Sequence, residues 1–375
     1  MGMPILSLTE AELRNRTSLK WRTYDPDVLP LWVAEMDVAM HPAVADAVAA
    51  AARNGDTGYP HGRDYAEAFA AMAQATWGLE LAPPQIRQSG DVMNGILAVL
   101  SVTSAPGDAV VINPPIYPPF RQVISGYGRR IVEVPLTDGA RLDLPALEAA
   151  LADRPAAYLL CSPHNPHGTV HTAEELATVA GLCAEYGVQL VVDEIHARLV
   201  DPGVRFVSAL SVPGGENAIV VTSAGKAWNL AAFKAGLIIG GADAGSVLRR
   251  LPPLALQAMG HWAAIAHTAA MRHAQEWVDE VSSEIAANKR LLARLLEEHL
   301  PGTVYRPGEG TYLAWVDCSA LGLDDPARAF LERGRVAFSP GVNFSSDHRQ
   351  WVRINLATSP EFVTEAVRRM AATLG

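Results

Sequence analysis

The sequence predicts an α/β protein: a large domain on a mostly parallel sheet, joined to a smaller α+β domain. Three observations carry that expectation. From about residue 85 onward, short apolar runs of strand length alternate with helical stretches, the pattern of buried strands joined by crossover helices. Chemically useful side chains (Asn113, Cys161, Asp193 and Ser223) fall at or just past the ends of four of these runs, where ligands gather in such sheets. Last, a long helical stretch, Glu276–Leu300, leads into a further set of short strands.

Taken in order, residues 1–30 are polar and turn-rich, and an apolar extended piece, residues 29–34, leads to Pro42 and a helix over Ala43–Arg53. The strands are expected at Ala109–Asn113, Ala157–Cys161, Val188–Asp193, Ala218–Val221 and Leu237–Gly240. Between them, Ala173–Tyr186 reads as a helix because Thr172 can cap it and Glu175 follows three residues later. After the long helix come strands at Thr311–Val316, Val336–Ser339 and Trp351–Asn355, then a final helix, Pro360–Thr373. The expected organisation is a segment 1–48 packing with the small domain, a large domain 49–275 and a small domain 276–375.

Bulk properties narrow the function. The 375 residues are 49% hydrophobic and 19% charged, the balance of a well-buried globular enzyme. A net charge of −10 without any Lys/Arg run argues against nucleic acid as a partner. No apolar stretch is long enough to span a bilayer, and the first residues lack a charged region followed by an apolar one, so a cytoplasmic home is expected. Three widely spaced cysteines suggest neither a disulfide framework nor a zinc site.

Six places carry candidate chemistry. Lys226 follows the apolar run Ala218–Val221 in a turn of small and hydroxylated residues, with a second cation, Lys234, eight positions on. A desolvated lysine there could form a Schiff base, since only the neutral amine attacks; a solvated surface lysine is the alternative. Asp193 ends an apolar strand, where a carboxylate needs a cation such as a protonated ring nitrogen, or else caps a following helix. Prolines on both sides of Asn165 fix a turn from which its amide could donate to a phenolate oxygen, though an ordinary Asn-Pro turn reads the same. The run Gln88–Gly95 opens an apolar helix, Ile96–Val102, whose free N–H groups suit an anion; Asp91 within it would oppose a phosphate unless turned away. Tyr117, held among prolines, could stack on a flat heterocycle or be a plain surface aromatic. Arg353, inside an apolar strand, fits a substrate carboxylate or an internal salt bridge.

Together these strings are specific. The sequence resembles the fold-type I pyridoxal-phosphate enzymes of the class I/II aminotransferase superfamily, and within it the MalY/PatB group of cystathionine β-lyases, or C–S lyases. Residues 29–37 (LPLWVAEMD), Pro163–Pro166 (PHNP), Asp193–His196 (DEIH) and Lys226–Asn229 (KAWN) carry the finer likeness, which runs from Arg16 to the final helix. General aminotransferases usually show a tyrosine in place of His196.

The resemblance implies an aspartate aminotransferase-like fold with pyridoxal 5′-phosphate as cofactor. It makes Lys226 the Schiff-base lysine that also moves the Cα proton, and pairs Asp193 with the pyridine nitrogen. Asn165 and His196 attend the ring oxygen, and Tyr117 stacks on the ring. The backbone at Asp91 and Val92, with Ser223 and Lys234, holds the phosphate. Tyr59 matches a tyrosine that reaches the neighbouring subunit's phosphate, implying an obligate homodimer with shared sites. Arg353 binds the substrate carboxylate, with Asn165 beside it, and the Ala34 backbone closes over the substrate. Gly225 stands where a serine is common, and Ala232 where a glycine is, which bears on pocket shape. The implied reaction is β-elimination from cystathionine or another cysteine S-conjugate, giving thiol, pyruvate and ammonia. The same machinery would also serve transamination or a specialised biosynthetic step, and a cofactor-bound regulatory protein is a third reading.

Overall fold

The computed structural model describes residues 4–374; Met1, Gly2 and Met3, part of the stretch read above for a leader, and Gly375 lie outside them. A short strand β1 (Leu29–Pro30) precedes the large sheet. That sheet comprises β2 (Ile86–Ser89), β3 (Ala109–Ile112), β4 (Arg130–Glu133), β5 (Ala157–Cys161), β6 (Gln189–Asp193), β7 (Ile219–Thr222) and β8 (Gly236–Gly240), in the order β2-β8-β7-β6-β5-β3-β4. Strands β7, β6, β5, β3 and β4 pair in parallel, so the sheet is mostly parallel, as expected.

Strand β8 departs from that pattern and runs antiparallel to both β7 and β2. The reason lies in the segment between β7 and β8, which forms turns rather than a crossover helix. A chain that does not cross the sheet must return beside the strand it left, in the opposite direction. Strands β2 and β4 were not legible, because both are short: IRQS has a single apolar residue, and RIVE is charged at both ends. The central strands explain why the others were: β5, β7 and β8 are buried along their whole length.

A helix, Val92–Thr103, longer at both ends than the apolar run suggested, packs on β6, β7 and β8. Gly95 permits this approach: a Cβ there would lie 2.7 Å from Val221 Cγ1. The helix start is thereby set against the carboxyl end of β7 and the turn that follows it.

Beyond the long helix, Gln275–His299, lie β9 (Val304–Tyr305), β10 (Leu313–Asp317), β11 (Val336–Ala337), β12 (Ser339–Pro340) and β13 (Trp351–Asn355). Four of these form an antiparallel sheet in the order β12-β13-β10-β9. The single strand expected over Val336–Ser339 is in fact two, because β11 leaves this sheet to pair in parallel with β1. Leu29 and Leu31 share an apolar core with Leu292, Leu296, Phe330, Ile354 and Val367. Part of the polar N-terminal stretch also folds, as short helices Glu10–Arg14 and Leu19–Arg22.

The segment after β1 has no regular structure, yet side chains hold its carbonyls from Trp32 to Met36. Trp32 O accepts from Arg353 and Ser339, Val33 O and Glu35 O from Asn355, Ala34 O from Lys226 and Tyr312, and Met36 O from Asn229. Asp37 anchors its far end through a buried ion pair with Lys20 Nζ at 2.7 Å and the Trp21 indole N–H at 3.0 Å. Burial pulls the Lys20 amine down, and the Asp37 carboxylate opposes that shift. Asp37→Ala would strand a buried cation and an indole donor together. We expect it to lower unfolding stability by about 3 kcal/mol in urea denaturation, far more than exposed Asp153→Ala.

Candidate active site

Strand ends and the irregular segment meet at one cavity of about 200 Å³. Its walls include Ala34, Asp91, Val92, Tyr117, Asn165, Asp193, His196, Ser223, Lys226, Lys234 and Arg353. Among the site residues expected from the sequence, only Tyr59 lies elsewhere, on the surface and 96% exposed.

Lys226 lies in the turn after β7, and its Nζ donates to Ala34 O at 2.9 Å. Burial, helped by the nearby Arg353 guanidinium, lowers its amine to about 8. It is therefore not the solvated surface lysine that the turn alone allowed. Asp193, at the end of β6, is buried, and its Oδ1 accepts from the Ile195 N–H at 3.0 Å. It caps a turn rather than a helix, and desolvation raises its carboxyl to about 7. Lys226 offsets that shift only in part, and a cation entering the cavity would favour the ionised carboxylate.

Arg353 is 5% exposed and forms no ion pair with a carboxylate among the described residues. Its guanidinium donates to Asn165 Oδ1 at 3.1 Å, Trp32 O at 3.1 Å and Ser339 Oγ at 3.2 Å, and lies 4.8 Å over the Phe344 ring. Its Nε is buried without a partner. The internal salt bridge left open by the sequence is absent, and burial brings the guanidinium down to about 10. Because Asn165 presents its oxygen to Arg353, its amide N–H₂ is the donor left for a ligand.

Asp91 caps the helix Val92–Thr103: its Oδ1 accepts from the Asn94 N–H at 2.8 Å, and its Oδ2 lies 3.3 Å from Lys234 Nζ. The carboxylate that looked misplaced beside an anion is thus occupied by the helix start and a cation. Ser223 donates to Ala235 O at 2.7 Å while accepting from the Gly225 N–H at 3.0 Å. Gly225 adds no bulk to this wall, and a Cβ there would meet only Ser223 Oγ, at 3.2 Å. Tyr117 precedes the helix Pro118–Ser125, and burial raises its phenol. His196 is buried, held neutral down to about 3 by desolvation, with Nδ1 unpartnered. Asn113, also at a strand end, is structural instead: its side chain bonds Val134 O and the Tyr158 hydroxyl.

Sequence reasoning gave no role to three residues at this site. Asn229, in the left-handed region at φ 55°, bonds both the N–H and the carbonyl of Met36. Asn355 holds two carbonyls of the same segment, and Tyr312 donates to Ala34 O at 2.9 Å. Each pairing spans more than 190 positions of chain, so no local spacing signals it.

A family model for class I and II aminotransferases matches residues 26–370. The chain belongs to that family. A relative from Mycobacterium tuberculosis, named provisionally as a cystathionine beta-lyase, is 46% identical, covering 99% of this chain and 98% of its own. The cystathionine beta-lyase of Corynebacterium glutamicum is 32% identical, covering 97% of this chain and 98% of its own. Among solved structures, Treponema denticola cystalysin, which contains pyridoxal 5′-phosphate, superposes with a TM-score of 0.90 at 25% identity, covering 96% of each chain. Pyridoxal phosphate is the cofactor, and the chain has the aspartate aminotransferase-like fold of fold type I.

The site's own chemistry fits that group. The buried Lys226 amine can meet an aldehyde, and the buried Asp193 carboxyl, which forms no ion pair within 4 Å among the described residues, a pyridinium. The amides opening Val92–Thr103, with Lys234 beside them, can meet a phosphate. The Asp193 carboxyl is raised, so it binds a proton in the folded chain over a pH range where the unfolded chain has lost it. Its contribution to stability is present below the unfolded value and is lost as pH rises to about 7. In cofactor-free protein, Asp193→Asn should therefore gain stability relative to wild type as pH rises from 5 to about 8. Thermal melts of both forms across that range check this; a constant difference would be the contrary result.

Proposed function

We propose that this protein is a pyridoxal-phosphate-dependent carbon–sulfur lyase acting on cystathionine or a related cysteine S-conjugate. The observation that carries the reading is a buried arginine, Arg353, without a carboxylate partner among the described residues, opening on the same cavity as the Lys226 amine. The names of the relatives from Corynebacterium glutamicum and Bacillus subtilis, both cystathionine beta-lyases, support the choice of reaction.

In this reading Arg353 receives the substrate carboxylate by two-point contact, with Asn165 and the Trp32–Ala34 backbone beside it. Lys226 would carry the cofactor, Asp193 its ring nitrogen, Asn165 and His196 its ring oxygen, and Tyr117 would cover its face. Ser223, Lys234 and the backbone at Asp91 and Val92 would hold the phosphate. Bound pyridoxal phosphate supplies the aldehyde that captures the amino group and a ring that accepts the electrons of the Cα–H bond. The freed Lys226 amine takes the Cα proton, a role its lowered basicity suits near neutral pH. Arg353 meanwhile keeps that carbon in place. Thiolate then departs from Cβ, and the three-carbon remainder hydrolyses to pyruvate and ammonia.

The discriminating assay supplies L-cystathionine with and without an added keto acid. Thiol, pyruvate and ammonia should appear in stoichiometric amounts without it. Product that forms only with a keto acid would assign transamination instead.

We also infer a cytoplasmic homodimer with shared sites. No helix of the described residues is long and apolar enough to cross a membrane. The 96% exposure of the Tyr59 ring suits a side chain that serves the neighbouring subunit. Lys226→Ala and Tyr59→Ala should each be nearly inactive alone. Refolded together in equal amounts, they should recover about a quarter of wild-type activity, because half the dimers then hold one intact site. A mixture no better than its components would remove Tyr59 from the partner's site.

A further inference from the structure

Tyr312 does not itself line the cavity, yet from behind its wall it is bonded to the atom that holds the Lys226 amine. Its hydroxyl donates to Ala34 O at 2.9 Å, and Lys226 Nζ donates to the same oxygen at 2.9 Å. The ring is 1% exposed and packs edge-on to His196, with centroids 6.2 Å apart. The backbone before it is fixed as well: the Thr311 N–H donates to Leu199 O at 2.7 Å, and Thr311 Oγ1 accepts from the Leu313 N–H at 3.1 Å. The donor therefore has little freedom to move, and burial keeps its phenol protonated.

A carbonyl oxygen can only accept. An amine bonded to it must turn an N–H toward it, and when neutral directs its lone pair elsewhere. We propose that Tyr312 is a positioning residue: it fixes the Ala34 carbonyl so that the released Lys226 amine bonds there and aims its lone pair at the Cα proton. Asn229, Asn355 and Lys20 hold the neighbouring carbonyls, but among the described residues only Tyr312 shares the acceptor of the reactive amine. The inference rests on the reading of Lys226 as the reactive lysine and not on the identity of its substrate.

Removing the hydroxyl leaves Ala34 O with the amine alone, a stronger acceptor for an ammonium and a less fixed one for a neutral amine. Arg353, Glu35, Asp193 and Lys234 act on the charge of Lys226, while Arg353, Glu35 and Tyr117 face Tyr312. None of these is altered by Tyr312→Phe. Two measurements on the full-length chain test the role. In cofactor-free protein, acetic anhydride labelling of Lys226, read by mass spectrometry across pH, gives the amine's titration midpoint. Tyr312→Phe should raise that midpoint by about half a pH unit or more. In the loaded enzyme it should lower kcat by on the order of tenfold with KM nearly unchanged, and shift the acid limb of the kcat profile upward.

Asn229→Ala serves as the control, since it loosens the same segment at Met36 without touching Ala34. Equal midpoint shifts in both variants would overturn the inference and leave a merely structural role, as would an unchanged midpoint in a Tyr312→Phe protein whose thermal melt matches wild type. If the protein lacks lyase activity but the midpoint shift is found, the choice of reaction fails and the positioning role stands.

Discussion

The structure turns on the pinning of five successive carbonyls, from Trp32 to Met36, by side chains from far along the chain. Without regular structure, this segment has no ladder to satisfy its backbone, and a buried carbonyl without a donor is costly. Arg353, Asn355, Tyr312, Asn229 and Lys226 supply the donors. The same bonds fasten the N-terminal segment, the small sheet and the large sheet to one another at the cavity. Structural integrity and site geometry thus share a single set of contacts.

Two of those donors carry the candidate chemistry. A carboxylate arriving at Arg353 competes with Trp32 O and Asn165 for its N–H groups, and a Lys226 amine engaged elsewhere gives up Ala34 O. Occupation of the site therefore changes what holds the segment covering it. Tyr312, Asn229 and Asn355 lie outside that exchange and keep the segment in register.

The electrostatics follow from the same burial. Desolvation weakens both Lys226 and Arg353 as cations and weakens Asp193 as an acid, because no group among the described residues fully compensates them. A cofactor that brings a ring cation and an aldehyde, with a substrate that brings a carboxylate, supplies the missing partners. The lyase and transaminase readings share this arrangement, so the protonation and closure physics is common to both. Which bond breaks next depends on whether the substrate's β-carbon carries a leaving group.

Much of the fold was legible because the apolar runs of β3, β5, β6, β7 and β8 are buried, and burial writes itself into local composition. For the same reason Lys226, Asp193 and Arg353 stood out as charges inside or beside apolar strands. Residue order and motif likeness then implied the family, the cofactor and the reaction class. Strand direction was not written locally: β8 reverses because the turn holding Lys226 replaces a crossover helix. The polar edge strands β2 and β4 carried too little apolar pattern to be read. Asn113 and Asp193 look alike as strand-end polar residues, yet a hydrogen bond from Tyr158 makes one structural while desolvation leaves the other poised for a cation. Residue type, spacing and motif likeness together nominated the candidate groups for this protein's chemistry. Only the tertiary structure decided which of them meet, because contacts spanning hundreds of residues leave no periodic trace in the chain.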